Sequence, residues 1–232
     1  KGMSPDTVSR VFRSWACENI HFELGHFRHK GESIKNEDYI KLTEEEKIKT
    51  HEVNINKKLN ELAIDTAINL GLLKPGEECI LDIDATIIET TVSDSRPHFK
   101  GTGLGYAPIV TMLNGIQIYL EARNGNSNAM FRITNALRNS IELAESKGLR
   151  IKLVRSDAAA SISSVVEYLI TKKIDYVIRA HGVFAKKPQG HLKWREFNDN
   201  TKHVKNVADT TIEVNNRDIR LIWYHYKFRS NR

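Results

Sequence analysis

The chain has 232 residues, 40% of them hydrophobic, which is enough for one large domain or two small ones with a buried core. No apolar run approaches the ~18 residues that a membrane helix needs, and no signal-peptide pattern is visible at residues 1–16, so the sequence predicts neither feature within these residues. The formal net charge of +6 favours a polyanionic partner such as nucleic acid. Cys17 and Cys79 lack metal-ligand spacing and are predicted to be free thiols.

Residues 1–76 are predicted to form a helical N-terminal region. Ser4-Pro5-Asp6 is typical of a helix start, and that helix is expected to run to about Glu18. Residues 19–42 are predicted to be irregular, and the capping-box pattern Thr43-Glu44-Glu45-Glu46 opens a second helical stretch. Its predicted apolar stripe consists of Ile55, Leu59, Leu62, Thr66 and Leu70. Lys74-Pro75-Gly76 ends this stretch, and a domain boundary is placed there.

Residues 77–232 are predicted to form an α/β domain. The predicted elements are a strand over 79–86, a strand over 106–112, a hairpin turn at Asn114-Gly115, a strand over 116–122, a helix carrying Ile133, Leu137, Ile141 and Ala144, a strand over 151–154, a helix capped by Ser161, a strand over 176–179, and strand-like segments at 193–197, 210–214 and 219–228. Three hairpin-linked strands followed by strand–helix–strand crossovers imply a mixed sheet, antiparallel first and parallel later. The ribonuclease-H-like fold has this order, and the strands from about residue 182 onward would form a β-rich insertion.

Two aspartates end predicted strands of this sheet. Asp84 ends the first strand, and Asp157 follows a later strand that is expected to be parallel to it. Because the carboxyl ends of parallel strands meet at one edge of a sheet, these carboxylates can converge on a hard divalent cation such as Mg²⁺. Asp82 shares a strand face with Asp84 and is either a ligand or a neighbouring support. The simpler alternative for each residue is a turn or cap role.

Three segments then resemble insertion-sequence transposases of the DDE type: Leu-Asp-Ile-Asp-Ala-Thr at 81–86, Asn-Gly-Asn-Ser at 124–127 and Val-Arg-Ser-Asp at 154–157. The resemblance implies metal-dependent DNA cleavage and strand transfer at transposon ends. It makes Asp84 the first and Asp157 the second carboxylate of a site for two Mg²⁺ or Mn²⁺ ions. It further implies double-stranded DNA as partner, a homodimer in the active complex and a cytoplasmic, nucleoid-associated location.

At the third acidic residue of the family's site, this sequence departs from the family pattern. The family's Glu often follows the pattern Tyr, two residues, Arg, three residues, Glu. Tyr226 and Arg229 supply the first two positions, and the Glu would follow Arg232, so the chain is expected to stop before the last helix of the domain. Glu196 and Glu213 are the alternatives within the chain. Without this Glu, the polypeptide is expected to bind metal weakly and cleave poorly.

Contacts to DNA are expected to be mostly to phosphates. The candidate DNA-binding residues are Arg96, Lys100, Arg155, Lys186, Lys187, Trp194, Tyr226 and Arg229. Trp194 can stack on an unpaired base, or else anchor the core of a small sheet. For the basic residues the alternative is an ordinary solvated surface charge.

Two other functions fit parts of the pattern. Asp82-Ile83-Asp84-Ala85-Thr86 resembles the nucleophile loop of haloacid-dehalogenase-like phosphatases, with Asp82 as nucleophile and Asp84 as acid/base. However, Asp157 is followed by Ala158-Ala159-Ala160-Ser161 rather than by the second acid of that family. The chain is alternatively a transposase fragment that binds DNA without cutting it.

Overall fold

The computed structural model describes residues 18–24, 49–91, 95–97, 103–185, 192–197 and 204–226. The strands are β1 (Glu18–Leu24), β2 (Lys49–Ile55), β3 (Glu78–Ala85), β4 (Ile88–Glu89), β5 (Arg96–Pro97), β6 (Leu104–Tyr106), β7 (Ile109–Leu113), β8 (Ile116–Arg123), β9 (Arg150–Ser156), β10 (Asp175–Ile178), β11 (Arg195–Glu196), β12 (Val204–Val214) and β13 (Arg217–Tyr226). The helices are α1 (Lys57–Asn69), α2 (Ile133–Ser146) and α3 (Ser163–Lys172), with 3₁₀ turns at Ala158–Ala160 and Gly182–Ala185.

The central sheet has seven strands in the order β1-β2-β8-β7-β3-β9-β10. β3, β7 and β8 pair antiparallel, whereas β9 and β10 run parallel to β3 after crossovers through α2 and α3. The five strands from β8 to β10 therefore have the mixed order that the sequence predicted for a ribonuclease-H-like domain, and the predicted fold class is confirmed.

The register of the central strands follows from their side-chain alternation. Cys79, Leu81 and Ile83 are buried on one face of β3, while Asp82 and Asp84 point to the other face. The β7–β8 hairpin turns through Asn114 and Gly115, whose φ angles of 49° and 85° are those of a type I′ turn. A slip by one residue would bury the two acids, so the hydrophobic pattern fixes the pairing.

Helices α2 and α3 cover one face of this sheet. The predicted stripe of α2 is buried, and the hydroxyl oxygens of Thr111 on β7 and Ser140 on α2 lie 2.8 Å apart in the core. On the opposite face, Met112 lies beside Asp82 in the ladder and is 39% exposed. We call this surface, which carries Asp82, Asp84, Met112 and Arg155, the open face.

The N-terminal region differs from its prediction. Residues 18–24 and 49–55 are paired strands rather than irregular chain and helix. The physical reason is visible in β2, where Val53 and Ile55 alternate with polar residues and are buried. The side chain of Asn56 accepts a hydrogen bond from Leu59 N (3.0 Å), so α1 begins at Lys57. The predicted start of the first helix and the capping box at 43–46 lie outside the described residues.

Two further local predictions are wrong. The predicted strand over 106–112 is interrupted at Ala107-Pro108, because proline has no N–H to donate to a ladder. Its first residue, Tyr106, instead ends β6, which pairs with β4 and β5 in a small separate sheet. Ser161 does not cap α3: its hydroxyl oxygen bonds the backbone N–H (2.9 Å) and the carbonyl (3.2 Å) of His181, and Ile162 occupies the cap position.

The strands after residue 182 form a three-stranded sheet in the order β11-β12-β13. Phe184 is 3% exposed and packs with Val166 of α3 and Ile219 of β13. The side chain of Asn215, in the β12–β13 turn, donates a hydrogen bond to Glu167 of α3. The predicted β-rich extension therefore has its own sheet, which packs against α3.

Candidate active site at the carboxyl edge of the sheet

The candidate site lies where β3 and β9 end side by side. Their last paired residues are Asp82 with Arg155 and Ile83 with Ser156, an offset of 73 positions. Asp84 and Asp157 have the same offset: Asp84 is the next residue of β3, and Asp157 is the first residue after β9. Neighbouring strands lie about 4.8 Å apart, which sets the scale of the separation between the two backbones. The fold thus brings the two predicted carboxylates to one edge of the sheet, hereafter the carboxyl edge.

Both aspartates are exposed, and each also bonds a nearby backbone N–H. Asp84 Oδ1 accepts from Ala85 N at 2.8 Å. Asp157 Oδ1 accepts from Ala159 N, also at 2.8 Å, and thereby caps the 3₁₀ turn that follows β9. Asp157 therefore has the cap role that the sequence left open as an alternative.

The residue beside this pair is Arg155, a predicted DNA contact. Arg155 Nε donates to Asp82 Oδ1 and Arg155 Nη2 donates to Asp82 Oδ2, both at 2.7 Å. This is a two-bond guanidinium–carboxylate pair on the open face, where Arg155 is 53% and Asp82 35% exposed. Sequence reasoning missed the pair, although the shared offset of 73 and the opposite charges would have indicated it.

A second group of charged residues lies buried behind the carboxyl edge. Arg123, at the end of β8, is 1% exposed and donates to three backbone carbonyls: Ala107 O (2.8 Å from Nε), Asn128 O (3.3 Å from Nη1) and Phe131 O. Glu121 is fully buried, with Oε1 3.5 Å from Arg132 Nε. Burial raises the pKa of Glu121 and lowers the pKa of Arg123 to about 10.

This buried group fixes the loop between β8 and α2 close to the candidate site. Ala107 N donates to Arg123 O (2.9 Å), and Thr86 N, two residues after Asp84, donates to Pro108 O (3.1 Å). The Asn124–Ser127 segment that contributed to the resemblance is packed inside this junction, with Asn124 5% and Ser127 0% exposed. Its role in the fold is therefore to shape the edge.

The donor chemistry at the carboxyl edge suits a hard cation, because carboxylate oxygens are what Mg²⁺ and Mn²⁺ prefer. Within the described ranges, no group of three or more His, Cys, Asp or Glu side chains is arranged to hold a metal ion. Glu196 and Glu213, the alternatives for a third acid, are exposed on β11 and β12 of the separate sheet and join no such group. Asp84 and Asp157 would need oxygens from water or phosphate to complete a coordination shell.

The other predicted DNA contacts are only partly described. Trp194 precedes β11 and is 38% exposed, so it is not a fully buried core anchor. Arg96 and Tyr226 lie on β5 and β13, where the structure describes the backbone alone. The remaining four candidates lie outside the described residues: Lys100, Lys186, Lys187 and Arg229.

The sequence matches no protein-family model and no curated protein. The solved structures that are similar to the chain include two of Mos1 transposase. One is the catalytic domain of Mos1 mariner transposase (14% identity, TM-score 0.33), where the match covers 56% of this chain and 60% of that one. The other is the Mos1 strand transfer complex (13% identity, TM-score 0.30), with 79% of this chain and 52% of that one covered. The chain thus spans just over half the length of the structures it matches.

None of the described helices is both long enough and apolar enough to cross a lipid bilayer.

Proposed function

We propose that this chain is the DNA-processing part of an insertion-sequence transposase of the DDE type, which cleaves and joins phosphodiester bonds at the carboxyl edge. The observation that carries the proposal is the placement of Asp84 and Asp157, one position beyond the last paired residues of β3 and β9. The strand order of the central sheet and the sequence resemblance support the same reaction class.

In this proposal Asp84 and Asp157 would hold two divalent ions through carboxylate oxygens. When bound, such ions would supply Lewis-acid activation of the attacking water or 3′-hydroxyl and charge neutralisation at the leaving oxygen. The chain's own contribution is to keep two carboxylates at fixed backbone positions on an accessible sheet edge. The third carboxylate would follow the Tyr226 and Arg229 pattern.

Double-stranded DNA is the proposed partner, bound mainly through its phosphates. Because transposition joins two DNA ends, the active complex would be a homodimer, located in the cytoplasm in association with the nucleoid. The phosphatase alternative requires Asp82 as a nucleophile. In the structure both oxygens of that carboxylate accept hydrogen bonds from Arg155, which favours a structural or orienting role for Asp82.

The test is nicking of supercoiled plasmid in Mg²⁺ or Mn²⁺ by the longer chain that would carry the third carboxylate. Asp84→Asn and Asp157→Asn should each lower the rate at least about 100-fold, since removing a ligand removes charge stabilisation in the transition state. The control is Asp175→Asn, an exposed aspartate at the opposite, amino end of β10, which should leave the rate unchanged. Nicking that survives both site substitutions, or phosphatase activity that depends on Asp82, would contradict the proposal.

A wild-type chain that binds duplex DNA but does not nick it would support the alternative of a non-catalytic transposase fragment.

A further inference from the structure

The Asp82–Arg155 pair has a geometry that its contribution to folding does not explain. Ion pairs this exposed add little to stability, because water screens them. The pair nevertheless has two short, parallel bonds, and these fix the plane of the guanidinium. The bonds use Nε and one side of Nη2. Within the described part of the chain, Nη1 makes no hydrogen bond or ion pair with the protein.

The Asp82–Arg155 pair lies on the open face of the sheet, next to the candidate site. Strand alternation directs the side chains of Asp82, Asp84 and Arg155 to the open face. Asp157 is the first residue after β9, two positions beyond Arg155. The neighbouring Met112 is 39% exposed, which shows that neither α2 nor α3 covers this part of the sheet. A DNA strand whose scissile phosphate lay at Asp84 and Asp157 would therefore pass beside Arg155.

We propose that Asp82 is a positioning residue that holds the Arg155 guanidinium with its Nη1 and Nη2 edge directed outward, where it binds a backbone phosphate of duplex DNA next to the site. This inference rests on the proposed function for the location of the DNA. It gives Asp82 a role distinct from that of a metal ligand or a nucleophile. A planar guanidinium with one edge fixed by a carboxylate loses less conformational freedom when a phosphate binds its other edge.

The substitution Asp82→Asn separates this role from simple charge balance, because the two predict opposite signs. Removing a negative charge beside the DNA path should strengthen binding if charge alone matters. Loss of the orienting carboxylate should weaken binding despite the gain in net positive charge. Asn keeps the size of Asp but cannot accept the same pair of charge-assisted bonds.

The same two strands provide matched controls at their other ends. Glu78, at the start of β3, lies 3.5 Å from Arg150 Nη2 and 3.1 Å from Lys152 Nζ at the start of β9. Glu78→Gln and Arg150→Ala therefore make the same charge changes as Asp82→Asn and Arg155→Ala, on the same strands, but at the amino edge of the sheet.

The experiment is fluorescence anisotropy of the whole chain with a labelled DNA duplex in EDTA, so that no metal-ligand role contributes. Arg155→Ala should weaken binding about tenfold and lower the slope of log K against log salt by about one. Asp82→Asn should weaken binding about threefold and have no further effect in the Arg155→Ala background. Arg155→Lys should not restore binding, since an ammonium lacks the two-edged geometry. Glu78→Gln and Arg150→Ala should stay within about twofold of wild type, as expected for screened distant charges.

Several outcomes would overturn the inference: equal or tighter binding by Asp82→Asn, an equal effect of Arg150→Ala, an effect of Asp82→Asn that persists without Arg155, or no duplex binding by wild type. Thermal unfolding of each variant serves as the folding control, and unchanged midpoints are expected for so exposed a pair. If Asp82→Asn binds DNA more tightly while nicking still requires Asp84 and Asp157, the orienting role of Asp82 is refuted and the proposed function stands. Nicking independent of those aspartates would remove the proposed function, while the anisotropy still decides whether Asp82 orients Arg155.

Discussion

Arg123 should be among the most sensitive residues of the fold. Replacing it with Met keeps most of the side-chain volume but removes a buried cation that donates to the carbonyls of Ala107, Asn128 and Phe131. Each buried acceptor left without a donor costs about 1–3 kcal/mol. The change also leaves Glu121 with one fewer compensating charge, and breaking a buried charge arrangement in this way costs about 3–5 kcal/mol. The two figures count partly the same interactions, and Met also removes the cost of desolvating a buried cation. The expected net loss is therefore about 3–5 kcal/mol in the free energy of unfolding.

The assay is equilibrium urea unfolding followed by far-ultraviolet circular dichroism, with thermal unfolding as a second measurement. A loss of this size corresponds to a decrease of roughly 6–20 °C in Tm for a chain of this length. Arg150→Met is the matched control, because that side chain is 68% exposed, and it should change stability by less than about 0.5 kcal/mol. A loss below about 1 kcal/mol for Arg123→Met would refute the claim that this arginine organises the β8–α2 loop.

Three further outcomes follow from the same structure. Burial raises the pKa of Glu121 above its ordinary value of 4.5, so the fold favours the neutral carboxyl group. As the pH rises from 4.5 through the raised pKa, the wild type should lose stability relative to Glu121→Gln, and urea unfolding across that pH range measures the difference. Gly115→Val should cost about 1–2 kcal/mol by the same assay, because a β-branched residue is strained at φ 85°. Phe184→Ala should cost about 3–5 kcal/mol and speed hydrogen exchange in β12 and β13, since Phe184 packs that sheet against α3.

The central sheet was predictable because its signals are local. The alternation around Leu81 and Ile83, the Asn114-Gly115 turn and the helical stripe ending at Ala144 each specify an element without reference to the rest of the chain. Chain order then leaves few ways to connect hairpins and crossovers. The position of Asp84 and Asp157 at one edge follows from the parallel pairing of β3 and β9 alone.

The errors occurred where a tertiary contact decides the structure. β1 and β2 extend the sheet beyond β8, with which β2 pairs. Just after β2, the Asn60 side chain accepts a hydrogen bond from Leu120 N (3.0 Å) and donates one to Leu120 O (3.2 Å) on β8. Such an arrangement has no sequence signature. The pairing of Asp82 with Arg155 depends on the register between strands 73 positions apart, so it can be inferred only after Asp84 has been aligned with Asp157. The burial of Arg123 could not be anticipated, because isolated charged residues are ordinarily exposed.

The most direct test of the central claim is the affinity of the chain for Mn²⁺, measured by isothermal titration calorimetry with wild type, Asp84→Asn, Asp157→Asn and the double variant. If the two carboxylates share an ion, each single substitution should weaken binding about as much as both together, since the loss of either ligand dismantles the same site. Asp175→Asn should bind Mn²⁺ as wild type does. Wild-type Mn²⁺ binding that neither Asp84→Asn nor Asp157→Asn changes, or strictly additive losses from the two, would contradict a shared site at the carboxyl edge.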